Sequence, residues 1–207
     1  MAMVLYELGG RKDLRYSQFS WRSRMALAHK GVSCTFQPVA IRDKAAIAFS
    51  GQTRVPVMVD GDRVVCDSWR IAEYLEHISE VPSLFGCESG RALAGFVSCW
   101  VDRQVIPAFG PLYFLDVLDC VEREDAVFLR TGLERRFGTN LENIAAERAT
   151  RLEAALGALA PVRVRLREAP FLSGESPAYA DYALFSVFQW IRLIGRFDPF
   201  LDQDDLC

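Results

Sequence analysis

The sequence lacks paired metal ligands, an excess of charge of either sign and long apolar runs, and each absence excludes a class of function. Histidine occurs twice, at His29 and His77, and the six cysteines (Cys34, Cys66, Cys87, Cys99, Cys120, Cys207) include no C-x-x-C pair. Neither a zinc site nor a dithiol redox centre is therefore expected. Scattered cysteines of this kind read as reduced packing residues, with Cys207 as a position for an exposed regulatory thiol. No sign of charge dominates either. The 24 basic and 27 acidic residues leave a net charge of −3, so nothing draws the chain to nucleic acid or to an anionic membrane surface. Long apolar runs are missing too: Tyr182 to Gly195 is interrupted by Gln189 and Arg192 and falls short of the roughly 20 residues a spanning helix needs. The N-terminus does not place a basic head, an apolar middle and a small-residue cleavage site in order, so a cytoplasmic location is expected. No fixed-period repeat or low-complexity tract occurs.

What is present fits a globular chain. At roughly 150 residues per domain, 207 residues make one large domain or two small ones. Met3 to Leu8 is short, apolar and β-prone, as a buried strand should be. Ser20 to Lys30 carries Trp21, Met25 and Ala28 at helical spacing, with serines before them and Gly31 placed as a C′ residue, and predicts a helix. Ser33 to Val39 alternates through Cys34, Phe36 and Pro38 as a second strand, parallel to the first because of the helical crossover. A short helix is expected over Arg42 to Phe49. Pro56 to Val59 and Arg63 to Cys66 flank Asp60-Gly61-Asp62 as an antiparallel hairpin, and Asp67-Ser68 opens a helix whose apolar face is Ile71, Tyr74, Leu75 and Ile78. The order is βαβαββα. Residues 80–90 are polar and rich in Gly, Pro and Ser, reading as a linker between a domain of residues 1–79 and an all-helical one of residues 91–207. Helices are expected at Arg91 to Leu118, bent near Pro107 to Pro111, and at Asp125 to Phe137, Leu141 to Arg167 and Tyr179 to Arg196.

Two helix starts on one small sheet, at Tyr16 to Ser20 and at Asp67-Ser68, each offer free N–H groups and a positive dipole end. The serines there act either as plain N-caps or as part of a site for a ligand with separated anionic groups. Val55-Pro56 adds a third element. A cis linkage would turn the N–H and C=O of Val55 outward for strand addition by a peptide, whereas a trans proline would make it an ordinary loop.

The βαβαββα order, Val55-Pro56 before the third strand, Asp67-Ser68 opening the third helix, the run Trp69 to Glu76 and the helical second domain together resemble the glutathione transferases over essentially the whole chain. Arg54 to Asp60 with Cys66 to Trp69 is similar to the bacterial β-etherase-like branch and a related fungal class. Phe171 to Tyr182 is similar to the family's capping segment. The resemblance implies a thioredoxin-like N-terminal domain, glutathione as co-substrate and a homodimer. The implied activity is that of a cytoplasmic, detoxifying, serine-type enzyme acting on a small hydrophobic or aromatic electrophile, by conjugation or by β-aryl ether cleavage. Residue by residue, it gives Ser17 as the hydroxyl that donates to the glutathione sulfur, Val55 with Pro56 as the backbone partner of the cysteinyl part, Asp67 and Ser68 as holders of the γ-glutamyl end, and Arg54 near the glycyl end. Phe109, Tyr113 and Phe114 are candidates for the second-substrate wall, helix packing being the other reading of each.

The sequence departs from that pattern at several points. Gln18 replaces a frequent proline, which leaves Ser20 as an alternative hydroxyl. Phe19 stands where zeta-type isomerases carry cysteine, and with no thiol in the turn a cysteine-type mechanism is excluded. Ala178 removes half of a capping box with Asp181. The sequence stops at Cys207, where relatives continue into further helices, as a truncated or short member would. A non-catalytic glutathione-fold binding module and a glutathione-dependent isomerase are the competing functions.

Overall fold

The apolar N-terminal run becomes an inner strand of a four-stranded sheet in the computed structural model, which describes residues 3–79 and 81–200. β1 (Met3–Leu8) pairs in parallel with β2 (Cys34–Val39), Met3 opposite Cys34 and Leu8 opposite Val39. On its other side it runs antiparallel to β3 (Val57–Asp60), which forms the expected hairpin with β4 (Arg63–Cys66), giving the order β2-β1-β3-β4. β2 is an edge strand, which accommodates Pro38. Pro38 itself is exposed, and Val39 is the buried residue at that end.

α1 (Gln18–His29) and α2 (Ser68–Ile78) cover one face of the sheet, their core formed by Leu5, Leu27, Met58, Ile71 and Leu75. The other face is closed by a short helix of 3-10 form at Ala45–Ser50, beginning three residues later than the expected Arg42; Ile47 packs there against Val39 and Val57. Gly31 terminates α1 with φ +63°, the left-handed conformation glycine adopts without steric cost. The expected apolar face of α1 is corrected: Trp21, Met25 and Ala28 are half-buried or exposed, while Ser20, Arg22, Ser23, Ala26 and Leu27 are buried. α1 is packed on more than one side, and the small side chains let its neighbours approach.

The second half is helical. α3 (Glu88–Trp100) begins before the expected Arg91 and passes into a π-helical turn at Val101–Val105. The break therefore lies ahead of the prolines, which fall in α4 (Ile106–Phe109) and a 3-10 turn at Gly110–Tyr113. α5 (Phe114–Asp119) and α6 (Arg123–Phe137) follow. The helix expected over Leu141 to Arg167 is three, α7 (Leu141–Ala146), α8 (Arg148–Ala158) and α9 (Ala160–Leu166), the last with Pro161 in its first turn, where no N–H is required. α10 (Tyr179–Ile194) is the longest apolar element. Tyr179, Ala180 and Tyr182 enter the core of the sheet domain, while Leu184, Val187, Trp190, Ile191 and Ile194 enter the helical core. Ala178 supplies no side-chain cap, and Asp181 compensates by accepting from the N–H groups of Leu172, Ser173 and Ala178.

None of the described helices is long and apolar enough to cross a membrane, and no metal-holding cluster occurs among the described residues. The five described cysteines are free thiols, half-buried (Cys34, Cys66, Cys120) or exposed (Cys87, Cys99), so none is a fully buried packing residue. Cys207 lies outside the described residues.

Candidate functional site

The chain leaving β1 is fixed before it reaches Ser17. Gly10 sits where a Cβ would lie 2.4 Å from the Cys120 carbonyl, and that carbonyl accepts from Arg11 N–H at 2.8 Å, pinning the turn to the helical domain. Glu7 on β1 is wholly buried and accepts from Arg24 Nε at 2.7 Å, with Arg15 Nε at 3.1 Å. Trp21 Nε1 donates to the Arg15 carbonyl at 2.7 Å. Tyr16 is sunk in the helical core, and burial, with Asp125 nearby, pushes its phenol pKa up.

Ser17 then stands as the N-cap of α1, its Oγ accepting from Ser20 N–H at 3.2 Å. Accepting uses a lone pair and leaves the hydroxyl hydrogen free to donate elsewhere. Ser17 borders a cleft of about 430 Å³ that also takes in Phe19, Lys44, Arg54, Val55 and Phe128. Ser20 does not border it; its hydroxyl is buried beneath. A recess of about 230 Å³ shares Phe19, Arg54 and Val55 with this cleft and adds Gln52, Pro56 and Asp67. The Val55-Pro56 bond is cis. Among the described residues, neither backbone group of Val55 has a hydrogen-bonded partner.

Asp67 adopts φ +80° and caps α2, accepting from Trp69 N–H at 2.9 Å and Arg70 N–H at 3.3 Å, while its own N–H donates to the Pro56 carbonyl at 3.1 Å. Ser68, the first residue of α2, is buried near Tyr179, whose phenol pKa is pushed up by burial against the pull of nearby Arg22 and Ser68. Lys44 and Arg54 have no carboxylate partner among the described residues. Burial first, and Arg54 second, hold the Lys44 ammonium below its ordinary pKa, with Asp125 opposing them.

The structure thus brings Ser17, Arg54, Val55, Pro56 and Asp67 around two cavities that share lining residues, with Ser68 at the helix start beneath. It does not bring Phe109, Tyr113 or Phe114 to the cleft. Phe109 and Tyr113 are fully buried in the helical core, Tyr113 stacked on Phe197 at 4.8 Å, and Phe114 packs edge-on against Phe137 at 5.1 Å. The helical domain presents Phe128 instead, 48% exposed on α6. Sequence reasoning missed Phe128, Phe19 and Lys44. Lys44 carried a weak signal, as a cation in a short polar segment after β2. Phe128 carried none, since α6 has no clean apolar stripe.

A family model described as glutathione S-transferase, N-terminal domain, matches residues 13–83, and one described as glutathione S-transferase, C-terminal domain, matches residues 92–198. A probable glutathione S-transferase of Solanum tuberosum is 32% identical over 95 residues, covering 44% of this chain and 44% of that protein, under half its length. Glutathione S-transferase U22 of Arabidopsis thaliana is 24% identical over 185 residues, covering 87% of this chain and 72% of the other. Among solved structures, a Phanerochaete chrysosporium glutathione transferase superposes with TM-score 0.84 at 23% identity, over 93% of this chain and 85% of its own. A Ceriporiopsis subvermispora glutathione S-transferase in complex with glutathione superposes with TM-score 0.86 at 19% identity, over 94% and 86%.

Proposed function

The chain belongs to the glutathione S-transferase family, and from that premise we propose that it is a serine-type glutathione transferase, in which the Ser17 hydroxyl donates to the glutathione sulfur. The observation that carries this reading is the meeting of Ser17, at the start of α1, with Lys44, Arg54 and Val55, whose backbone has no partner among the described residues, around one cleft. Val55 pairs with the cysteinyl backbone by strand addition. Lys44 and Arg54 take the glycyl carboxylate. Asp67 faces the γ-glutamyl ammonium, and the positive end of α2 behind it, where Ser68 is buried, favours the γ-glutamyl carboxylate.

The chemistry follows from the thiol. Unperturbed, it titrates near ~8.5 and is only a few per cent ionised at neutral pH. The Ser17 donor and the α1 dipole favour the anion. The thiol proton leaves to solvent, the sulfur lone pair forms a C–S bond to an electrophilic carbon, and the leaving group departs with the bonding electrons. Phe19 and Phe128 supply the apolar surface against which a ring would lie. Chloride leaving from an activated arene, by addition and elimination, and aryloxide leaving from the saturated carbon of a β-aryl ether, by direct displacement, share the same net exchange of a leaving group for thiolate, so the β-etherase-like reading falls within this proposal. We also propose a homodimer, since Leu93 and Phe96 lie 66% and 71% exposed on α3.

The test is calorimetry with glutathione at millimolar concentration, followed by turnover of a chloronitrobenzene acceptor and of a model β-aryl ether. Heat of uptake with turnover of either acceptor is expected. Absence of uptake would reject the assignment, and uptake without turnover of any electrophile would leave a binding module in its place.

A further inference from the structure

One ion pair joins the cationic wall of the cleft to its aromatic wall. Arg42, in the segment after β2, donates from Nε to Asp125 Oδ1 at 3.0 Å. Asp125 is the third residue of α6, with its side chain only 7% exposed, where the N–H groups and dipole of the first turn favour a carboxylate. Phe128, three residues on, shares that face of the helix and borders the cleft. Lys44, two residues after Arg42, borders the same cleft beside Arg54. Asp125 also acts electrostatically on Lys44 and on Tyr16, the neighbour of Ser17. A single buried carboxylate therefore adjoins the cation-bearing segment, the helix that carries the aromatic wall and the turn that holds the serine.

We infer that Asp125 and Arg42 are positioning residues, a strut that sets the distance between Lys44 and Phe128 and thereby couples binding of the glutathione carboxylate to alignment of the electrophile. The inference rests on the transferase reading of the cleft. Neither residue borders the cleft, so both act through others. Between β2 and β3 the chain has one 3-10 turn and no longer element, with Ile47 as its buried anchor. Among the described residues, the Arg42 pair is a hydrogen-bonded tie from this segment to α6. Without it, the cations and the phenyl ring lose a common frame, while the Ser17 turn keeps its own supports in Glu7, Arg15 and Trp21.

The experiment is a double-mutant cycle in the full chain with Arg42→Ala, Asp125→Asn and the pair together, measuring KM for glutathione and for a chloronitrobenzene acceptor, kcat across pH, and Tm. Each single variant should raise both KM values about fivefold or more, the lower end of ordinary coupling between sites. The inflection of the pH-rate profile should stay where it is in the wild type, and the double variant should be no worse than the poorer single one. Arg42→Lys should recover part of the loss. Arg42 is half exposed, so Arg42→Ala should unfold close to the wild-type temperature, which keeps the test open if Asp125→Asn folds poorly. Wild-type turnover with unchanged KM values in Arg42→Ala, or effects that add as independent changes, overturns the strut alone. Wild-type protein that takes up no glutathione overturns the transferase reading and the strut with it.

Discussion

If the proposed serine-type reading holds, replacing Ser17 by alanine removes both the helix cap that its oxygen makes and the proposed donation to the glutathione sulfur, and the two have separable signatures. As N-cap, Ser17 Oγ accepts from Ser20 N–H at 3.2 Å. Losing a serine cap costs about 1 kcal/mol, which for a chain of this size lowers Tm by about 2–4 °C. As donor to the sulfur anion, the hydroxyl contributes about 1.5–3 kcal/mol, the range for hydrogen bonds to charged groups, or about one to two pKa units. With a two-unit shift the thiol is about three-quarters ionised at neutral pH, against about 3% without it, a roughly 25-fold difference in thiolate. The more basic anion is the better nucleophile by about eightfold over two units, so the net loss at neutral pH lies between about 3-fold and 25-fold. The position of the inflection is the firmer readout. The inflection of the pH-rate profile of glutathione conjugation should lie about one to two units higher in the alanine variant than in the wild type, the α1 dipole being common to both, with the deficit closing at alkaline pH. Ser17→Asp separates the roles, since aspartate caps a helix as well as serine does but adds a like charge and has no proton to donate. Its Tm should match the wild type and its inflection should move upward at least as far as in Ser17→Ala. An unmoved inflection in Ser17→Ala, whatever its Tm, would show that this hydroxyl is not the partner of the sulfur.

Arg54→Ala and Lys44→Ala should each raise the glutathione KM about tenfold, the scale of one charge-assisted hydrogen bond, with kcat at saturation little changed; a fall in kcat at constant KM would move these cations out of the binding role. Phe128→Ala should weaken the acceptor KM while leaving glutathione binding and Tm near wild type, because the ring is half exposed and its loss opens no core cavity; weakened glutathione uptake would contradict its place on the acceptor wall. Acid stability should depend on Glu76. Burial works against its ionisation, yet the Lys30 ammonium at 2.6 Å, the Ser83 hydroxyl and the Leu84 N–H hold its carboxyl below the ordinary value of 4.5. A carboxyl depressed in the folded state contributes stability above its unfolded pKa and loses it as pH falls through the folded one. Glu76→Gln should therefore be less stable at neutral pH and lose less on acidification below 4.5; parallel stability curves for variant and wild type would contradict this.

The sheet was legible because its signals are local. Met3 to Leu8, the Asp-Gly turn and Asp67 as a cap each depend on residues a few positions apart, and each falls where expected. The buried face of α1 was not legible, for the opposite reason. Arg22 is buried because Asp102, eighty positions away, lies 2.7 Å from Nη2 and Ser186 accepts from Nε, and no window of sequence contains those partners. The same division runs through the site. Arg54, Val55 and Asp67 belong to short turns whose chemistry is written beside them, and they line one recess. Which aromatic faces the cleft depends on how α4, α5 and α6 pack. Phe109 and Tyr113 have the composition of a substrate wall and the position of a core, while Phe128 lies on a helix of mostly polar residues.

Within the transferase reading, the choice of donor to the sulfur can be argued from burial. Tyr16 adjoins Ser17 and carries a more acidic hydroxyl, but it is 4% exposed in the helical core and its phenol is raised further by burial and by Asp125, so it neither reaches the cleft nor ionises there. Ser20 lies at 1% exposure under the first turn of α1. Ser17 is itself 8% exposed and borders the cleft, with too little exposure for solvent to compete freely. Its lone pair is engaged by Ser20 N–H, which directs the O–H away from the helix terminus. A donor held this way in a poorly solvated wall interacts more strongly than one in water and needs no reorganisation when charge arrives. Under the proposed reading, a sulfur anion brought in by the backbone of Val55 would meet that donor, whereas a bulkier anion presented without such an anchor would have no comparable access to it.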